Sequence, residues 1–174
     1  LGPVTYTWKS GATMLGTGSS LVLAQANVGQ AITVTASYTD GFNMPESEVS
    51  AATVAVANVN DAPTGSVTIS GTAQQGRTLM ASNTLVDADG LGPVTYIWKS
   101  GATVLGTGSS LLLGQTHVGQ VITVTASYVD GFNTPESIIS SATVAVANVN
   151  DAPTGSVTIS GTAQQGRTLT AAHT

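Results

Sequence analysis

The sequence repeats itself at an interval of 90 residues. Residues 1–84 and 91–174 differ at only 15 of 84 positions, and the segment VANVNDAPTGS occurs at 56–66 and again at 146–156. A unit of this length is too long for a solenoid repeat and is typical of a small domain that folds by itself. The sequence therefore predicts tandem copies of one domain.

The repeat divides the chain into three parts. Residues 62–151 form one complete copy, the intact repeat. Residues 1–61, the first segment, are the later two thirds of a preceding copy, and residues 152–174, the tail, are the first strands of a following copy. Because the chain begins at Leu1 without a signal sequence, we expect an internal fragment of a longer protein.

The intact repeat is dense in strand patterns and shows no helical period. Strands are predicted at 65–70, 77–85, 93–100, 109–114, 121–129 and 137–149. Within VITVTASY, the residues that alternate toward one face are Ile122, Val124, Ala126 and Tyr128. Each strand has an apolar face that a second sheet must cover, so the pattern predicts an all-β antiparallel sandwich of about seven strands.

Composition excludes several classes of function. The chain has only four basic residues and a net charge of −5, too little positive charge for binding to nucleic acid. No apolar run is long enough to insert into a membrane, and the absence of cysteine excludes a disulfide framework. His117 and His173 are replaced by Asn27 and Asn83 in the other copy, and no catalytic motif occurs, so we expect no enzyme activity.

The acidic residues of one period lie in segments that an up-and-down strand order brings to one end of the sandwich. These residues, which we call the acidic cap, are Asp61, Asp87, Asp89, Asp130 and Glu136. Arg77 and Lys99 fall at the opposite end by the same trace. Clustered carboxylates raise one another's pKa or attract a cation, and Ca²⁺ is the usual ion for such oxygen ligands.

Two other interpretations of the acidic cap stay open. Asp-Gly and Asp-Ala-Asp-Gly are common turn sequences, so the acids could serve the loops alone. Alternatively, Arg77 and Lys99 could form salt bridges to the acids of the next repeat, although exposed ion pairs contribute only about 0 to 1 kcal/mol.

Two stretches of the intact repeat carry a resemblance to cadherin repeats. The stretch ASYVDGFNTPESIISSATVAVANVNDAP (126–153) resembles the end of such a repeat, and LVDADGLGPVTY (85–96) resembles its D-x-D loop. The resemblance implies calcium bound between successive domains, with Asn60, Asp61, Asp87, Asp89 and Asp130 as ligands. Asn58 and Ala62 replace two linker ligands, and Gln74 and Gln75 stand in for the glutamates of a preceding domain, so one or two ions are expected.

The middle of the repeat, YIWKSGATVLGTGSSLLLGQTHVGQVITVTASY (96–128), resembles bacterial Ig-like domains. Both families share a Greek-key sandwich. Nearly identical tandem domains joined by VNDAP resemble the repeat regions of giant bacterial surface adhesins of the RTX type, which implies an extracellular location at the bacterial cell surface and a role in cell adhesion and biofilms.

The expected function is that of a structural extender whose linkers calcium stiffens. The alternative is a repeat that itself binds a glycan or another cell-surface ligand, with Phe132 of the DGFN loop as the contact residue; we favour packing of Phe132 against the neighbouring repeat. Trp98 is expected in the core. The expected partners are neighbouring repeats, and the tail of one molecule is expected to add strands to the first segment of another, head to tail.

Overall fold

A computed structural model describes residues 2–174, which form an all-β chain of antiparallel sheets. The thirteen strands are β1 Thr5–Ser10, β2 Thr13–Thr17, β3 Thr33–Thr39, β4 Pro45–Val49, β5 Val67–Ser70, β6 Thr78–Asn83, β7 Thr95–Ser100, β8 Thr103–Thr107, β9 Ser110–Leu112, β10 Thr123–Val129, β11 Pro135–Ile139, β12 Val157–Ser160 and β13 Thr170–His173. Two 3₁₀ turns, Gln25–Asn27 and Gln115–His117, lie before β3 and β10. Nowhere in residues 2–174 is there a helix long and apolar enough to cross a membrane.

The intact repeat contains two sheets that share one core. One sheet has the order β5-β6-β9 and the other β11-β10-β7-β8. Side chains from both sheets form a single buried cluster that includes Leu79 of β6, Trp98 of β7 and Val124 of β10. The Trp98 indole donates a hydrogen bond to the carbonyl of Gly108 at 2.8 Å, so its polar group is satisfied. This arrangement is consistent with the predicted β-sandwich and places Trp98 in the core.

Two details of the strands differ from the prediction. The segment 103–107, which is not among the predicted strands, forms β8. The strand predicted at 137–149 ends at Ile139. Beyond that point the chain still follows β10, but the hydroxyl groups of Ser140 and Thr143 accept the hydrogen bonds of Val124 and Ile122 in place of backbone carbonyls. The ladder is therefore interrupted by side chains that compete for its donors.

The first segment forms one sheet, in the order β2-β1-β3-β4. Its strands have the same bounds as β7, β8, β10 and β11 shifted by 90 residues, and β1 has the same register with β3 as β7 has with β10. Among the described residues no second sheet covers its inner face. Trp8 is half-buried there, whereas the equivalent Trp98 is completely buried.

The tail forms an isolated hairpin of β12 and β13. Its register, with Val157 opposite His173 and Ser160 opposite Thr170, matches that of β5 and β6 in the intact repeat. All residues from 151 to 174 are exposed, including the apolar Val157 and Ile159. The local sequence thus specifies the hairpin without a core beneath it.

Candidate functional site at the repeat junction

Three carboxylates of the acidic cap are buried at one end of the intact repeat. Asp87 is 9%, Asp89 4% and Asp130 6% exposed. Asp87 and Asp89 lie in the turn after β6, and Asp130 follows β10; the Gly131 amide donates to the Asp89 carbonyl at 3.0 Å and joins the two turns. Aspartate is rarely buried to this extent unless its charge is compensated by nearby donors or cations.

Hydrogen-bond donors compensate the first two carboxylates. Asp87 accepts the backbone N–H of Asp89 at 2.8 Å and the hydroxyl of Tyr128. Asp89 accepts the backbone N–H of Asp61 at 2.7 Å and the side-chain amide of Gln25 at 2.7 Å. Each carboxylate therefore has a donor for both oxygens, and those of Asp89 come from outside its own turn.

Asp130 organises its own loop with one oxygen and leaves the other without a partner. Its Oδ1 accepts the backbone N–H groups of Phe132 and Thr134 at 2.8 and 2.7 Å. The equivalent Asp40 makes the same two contacts in the first segment, where it is only half-buried, so the turn itself does not require burial. The other oxygen of Asp130, Oδ2, is buried and makes no hydrogen bond with the described residues.

The acidic cap is also the place where the first segment meets the intact repeat. Gln25 lies in the 3₁₀ turn at the far end of the first segment, and its amide reaches Asp89 in the intact repeat. From the linker, Asp61 contacts Asp89, and the Asn60 amide donates to Glu136 at 2.8 Å. Three contacts thus fix the linker and the preceding domain to the acidic cap.

At the opposite end of the intact repeat, the next linker is held in a similar way. Gln75 donates its side-chain amide to Asp151 at 3.1 Å, and its carbonyl oxygen accepts the backbone N–H of Val149 at 3.2 Å. Gln25 therefore contacts a carboxylate of the acidic cap, and Gln75 contacts a carboxylate of the next linker.

Tyr128 donates into the cap from the end of strand β10. Burial raises the pKa of its phenol well above the usual value, and the hydrogen bond to Asp87, together with the negative charge of the cap, raises it further. A tyrosine hydroxyl is already protonated at physiological pH, so Tyr128 donates to the Asp87 carboxylate there, and its raised pKa extends this to more alkaline pH.

The oxygen atoms of the cap are of the kind that bind a hard cation, but they are not arranged as a metal site. Its carboxylate, amide and backbone oxygens are the ligands that Ca²⁺ takes, and Asp130 Oδ2 is a buried oxygen without a partner. However, across residues 2–174 no group of three or more His, Cys, Asp or Glu side chains is placed to hold a metal ion. The oxygens of Asp87 and Asp89 already accept hydrogen bonds.

The sequence therefore predicted the location of this site better than its contacts. The predicted ligands Asn60, Asp61, Asp87, Asp89, Asp130 and Glu136 lie at the junction. Hydrogen bonds connect Asn60 with Glu136, and Asp61 and Asp87 with Asp89, whereas among the described residues the Asp130 carboxylate accepts only from its own loop. Sequence reasoning missed Gln25 and the role of Tyr128. A signal for Gln25 was its position in the turn before β3, at the end of the first segment that faces the next repeat when domains follow head to tail.

The remaining candidate residue, Phe132, is partly covered. Its side chain is 48% exposed, whereas the equivalent Phe42 in the first segment is 90% exposed. The difference accompanies the presence of the Asp87–Gly90 turn and of a preceding domain, neither of which Phe42 has. Both side chains are nevertheless exposed.

Comparisons with protein-family models, with curated proteins and with solved structures find no match for this chain.

Proposed function

We propose that the chain is a structural extender, in which successive β-sandwich domains are held at a fixed angle by their junctions. The observation that carries the proposal is the direct contact of Gln25 and Asp61 with the buried carboxylate of Asp89. A flexible linker would leave these groups in water; here a buried acid takes its compensating donors from the preceding domain and the linker. Domains coupled in this way behave as a nearest-neighbour array.

Calcium belongs to the same proposal as a ligand that stiffens the junction further. It would be held by oxygens of Asp87, Asp89 and Asp130, with Asn60, Asp61 and Glu136 from the linker side, and would supply positive charge to a cap that has no basic residue. Support comes from the oxygen-only chemistry of the cap and the free, buried Asp130 Oδ2.

The wider context of the proposal follows from the resemblances in the sequence. A Greek-key sandwich of the cadherin or Ig type, repeated in tandem, fits an extender of a secreted adhesin at the bacterial cell surface. Such a repeat bears mechanical load and adds length to the protein, and it needs no catalytic group. The alternative of ligand binding through Phe132 has no support beyond the exposure of that side chain.

Distance measurements between spin labels on the two domains test the extender function. The chain has no cysteine, so labels can be placed at Met14→Cys and Val104→Cys, which are equivalent exposed positions of the first segment and the intact repeat. We expect one narrow distance distribution, narrower in calcium than in chelator. A broad distance distribution in both conditions would contradict a fixed junction. A narrow distribution that calcium leaves unchanged would contradict the role of calcium but not the extender function.

A further inference from the structure

The chain that leaves the intact repeat is first held by a short parallel ladder. Ala147 pairs with Gln74, which lies in the turn between β5 and β6. The Ala147 amide donates to the carbonyl of Ala73, and the Ala147 carbonyl accepts the amide of Gln75, both at 2.9 Å. In a regular parallel ladder the next bond would run from the amide of Val149 to the backbone carbonyl of Gln75.

The backbone ladder stops there because the turn bends away at Gly76. This glycine has a φ of 79°, in the left-handed region, and its amide donates to the carbonyl of Leu113 at 2.7 Å. The turn is thereby directed toward the residue that follows β9 and away from the linker. The Val149 amide consequently needs another acceptor.

The side chain of Gln75 continues the ladder in place of the backbone. Its Oε1 accepts the Val149 amide at 3.2 Å, and its Nε2 donates to the Asp151 carboxylate, 3.1 Å from Oδ2 and 3.3 Å from Oδ1. Ala147, Val149 and Asp151 are alternate residues, which is the spacing of successive contacts along one edge of an extended chain. One amide side chain thus holds the linker from Val149 to Asp151.

We propose that Gln75 is a positioning residue, which fixes the linker to the repeat that it leaves and binds the carboxylate of the linker aspartate to that repeat. This inference rests on the extender function proposed above. At the first junction the equivalent aspartate, Asp61, uses a different group: its backbone N–H donates to Asp89 of the following repeat at 2.7 Å. The two contacts use separate atoms, so one aspartate can make both, and two successive repeats then meet at a single linker residue.

The contact requires an amide at position 75, because the side chain has to accept and donate at the same time. A glutamate can accept the Val149 amide but repels Asp151, and a lysine can donate to Asp151 but cannot accept. The neighbouring Gln74 contributes only its backbone, since its side chain makes no hydrogen bond with the described residues. The two adjacent glutamines therefore provide a matched pair for substitution.

Amide hydrogen exchange and ¹⁵N relaxation, measured by NMR on the full chain, test the proposal. Gln75→Ala should speed exchange of the Val149 amide about three- to tenfold, which is the effect of losing one hydrogen bond, and should make the Asp151 backbone more mobile. Gln74→Ala should change neither. The Ala147 amide, which a backbone carbonyl binds, should stay protected in both variants and reports that the turn keeps its shape.

Gln75→Glu separates the two contacts of the side chain. This variant keeps an acceptor for Val149 and loses the donor to Asp151. We therefore expect the Val149 amide to stay protected while the Asp151 backbone becomes as mobile as in Gln75→Ala. A residue that merely supports the turn would not produce this difference, so Gln75→Glu decides the matter if Gln75→Ala also speeds exchange at Ala147.

Two results would overturn the proposal: Val149 exchange that is equally fast in Gln75→Ala and Gln74→Ala, or an Asp151 backbone that is equally mobile in Gln75→Glu and in the unaltered chain. The spin-label distances report on the first junction, at the other end of the intact repeat, to which Gln75 does not contribute. A broad distance distribution with a protected Val149 amide would therefore contradict the extender function alone. A narrow distribution with either of the two overturning results would contradict only the role of Gln75.

Discussion

Replacing Tyr128 with phenylalanine tests whether the acidic cap depends on its donors. The substitution keeps the buried ring and removes the only hydroxyl that donates to Asp87 Oδ2, which is left inside a cap that is mostly closed to water. A hydrogen bond to a charged group contributes about 1.5 to 3 kcal/mol, and a buried acceptor without a partner costs a similar amount. We expect the free energy of unfolding of the intact repeat to fall by about 2 to 3 kcal/mol.

Tyr38→Phe provides the matched control. Tyr38 occupies the equivalent place on β3, but the first segment has no counterpart of Asp87, so the same change there should cost at most about 0.5 kcal/mol. Urea unfolding followed by the emission of Trp98, with Trp8→Phe in all proteins, isolates the intact repeat. Equal effects of the two substitutions would refute the assignment of Tyr128 as the donor that compensates Asp87.

Alkaline pH gives the same prediction a second readout. Tyrosine in the unfolded chain ionises near pH 10, whereas burial and Asp87 raise the pKa of Tyr128 in the folded state. Above pH 10 the unfolded state therefore binds fewer protons than the folded state, and stability falls by up to about 1.4 kcal/mol per pH unit. Tyr128→Phe lacks this loss, so its stability should approach that of the unaltered chain as pH rises; parallel curves would contradict the argument.

Two further predictions concern the junction. Calcium at 100 times its dissociation constant would stabilise the intact repeat by about 2.7 kcal/mol, which raises its Tm by about 10 to 20 °C. Melting in calcium and in chelator should show this shift for the unaltered chain and for Asp40→Asn but not for Asp130→Asn; a shift that survives Asp130→Asn would exclude Asp130 as a ligand. Gln25→Glu places a carboxylate against Asp89 and should broaden the spin-label distance distribution in chelator. Gln115→Glu, at the exposed equivalent position, should leave it unchanged, and equal widths in the two variants would show that Gln25 does not hold the junction.

The sequence predicted the gathering of the acids because that depends only on strand direction. Antiparallel strands return the chain to the same end after every second strand, so the turns carrying Asp87 and Asp130 meet whatever the details of packing. Most strands of the intact repeat were predicted from alternation; β8 was not predicted, and the segment beyond Ile139 is not a strand. There Ser140 and Thr143 present hydroxyl groups to β10, and an apolar pattern cannot show this competition for backbone donors.

The partners of the acids could not be predicted in the same way. The contact of Gln25 with Asp89 depends on the angle between two domains, which no periodicity within a domain encodes. Tyr128 was assigned to the core correctly from alternation, but its hydroxyl reaches Asp87 only because the residue stands at the end of β10 next to the turn. Both features arise from tertiary placement and not from local pattern.

The two copies of the DGFN loop separate the turn-forming role of the acid from its burial. Asp40 and Asp130 accept the same pair of backbone N–H groups, yet only Asp130 is buried, beside the Asp87–Gly90 turn and a linker. Turn formation alone therefore does not explain a cap of three buried carboxylates. Asp89 receives hydrogen bonds from Gln25 and Asp61. Separating the domains would therefore either expose its carboxylate to water or leave it buried without these donors. The stability of the intact repeat is thereby coupled to the first segment, as the proposed extender function requires.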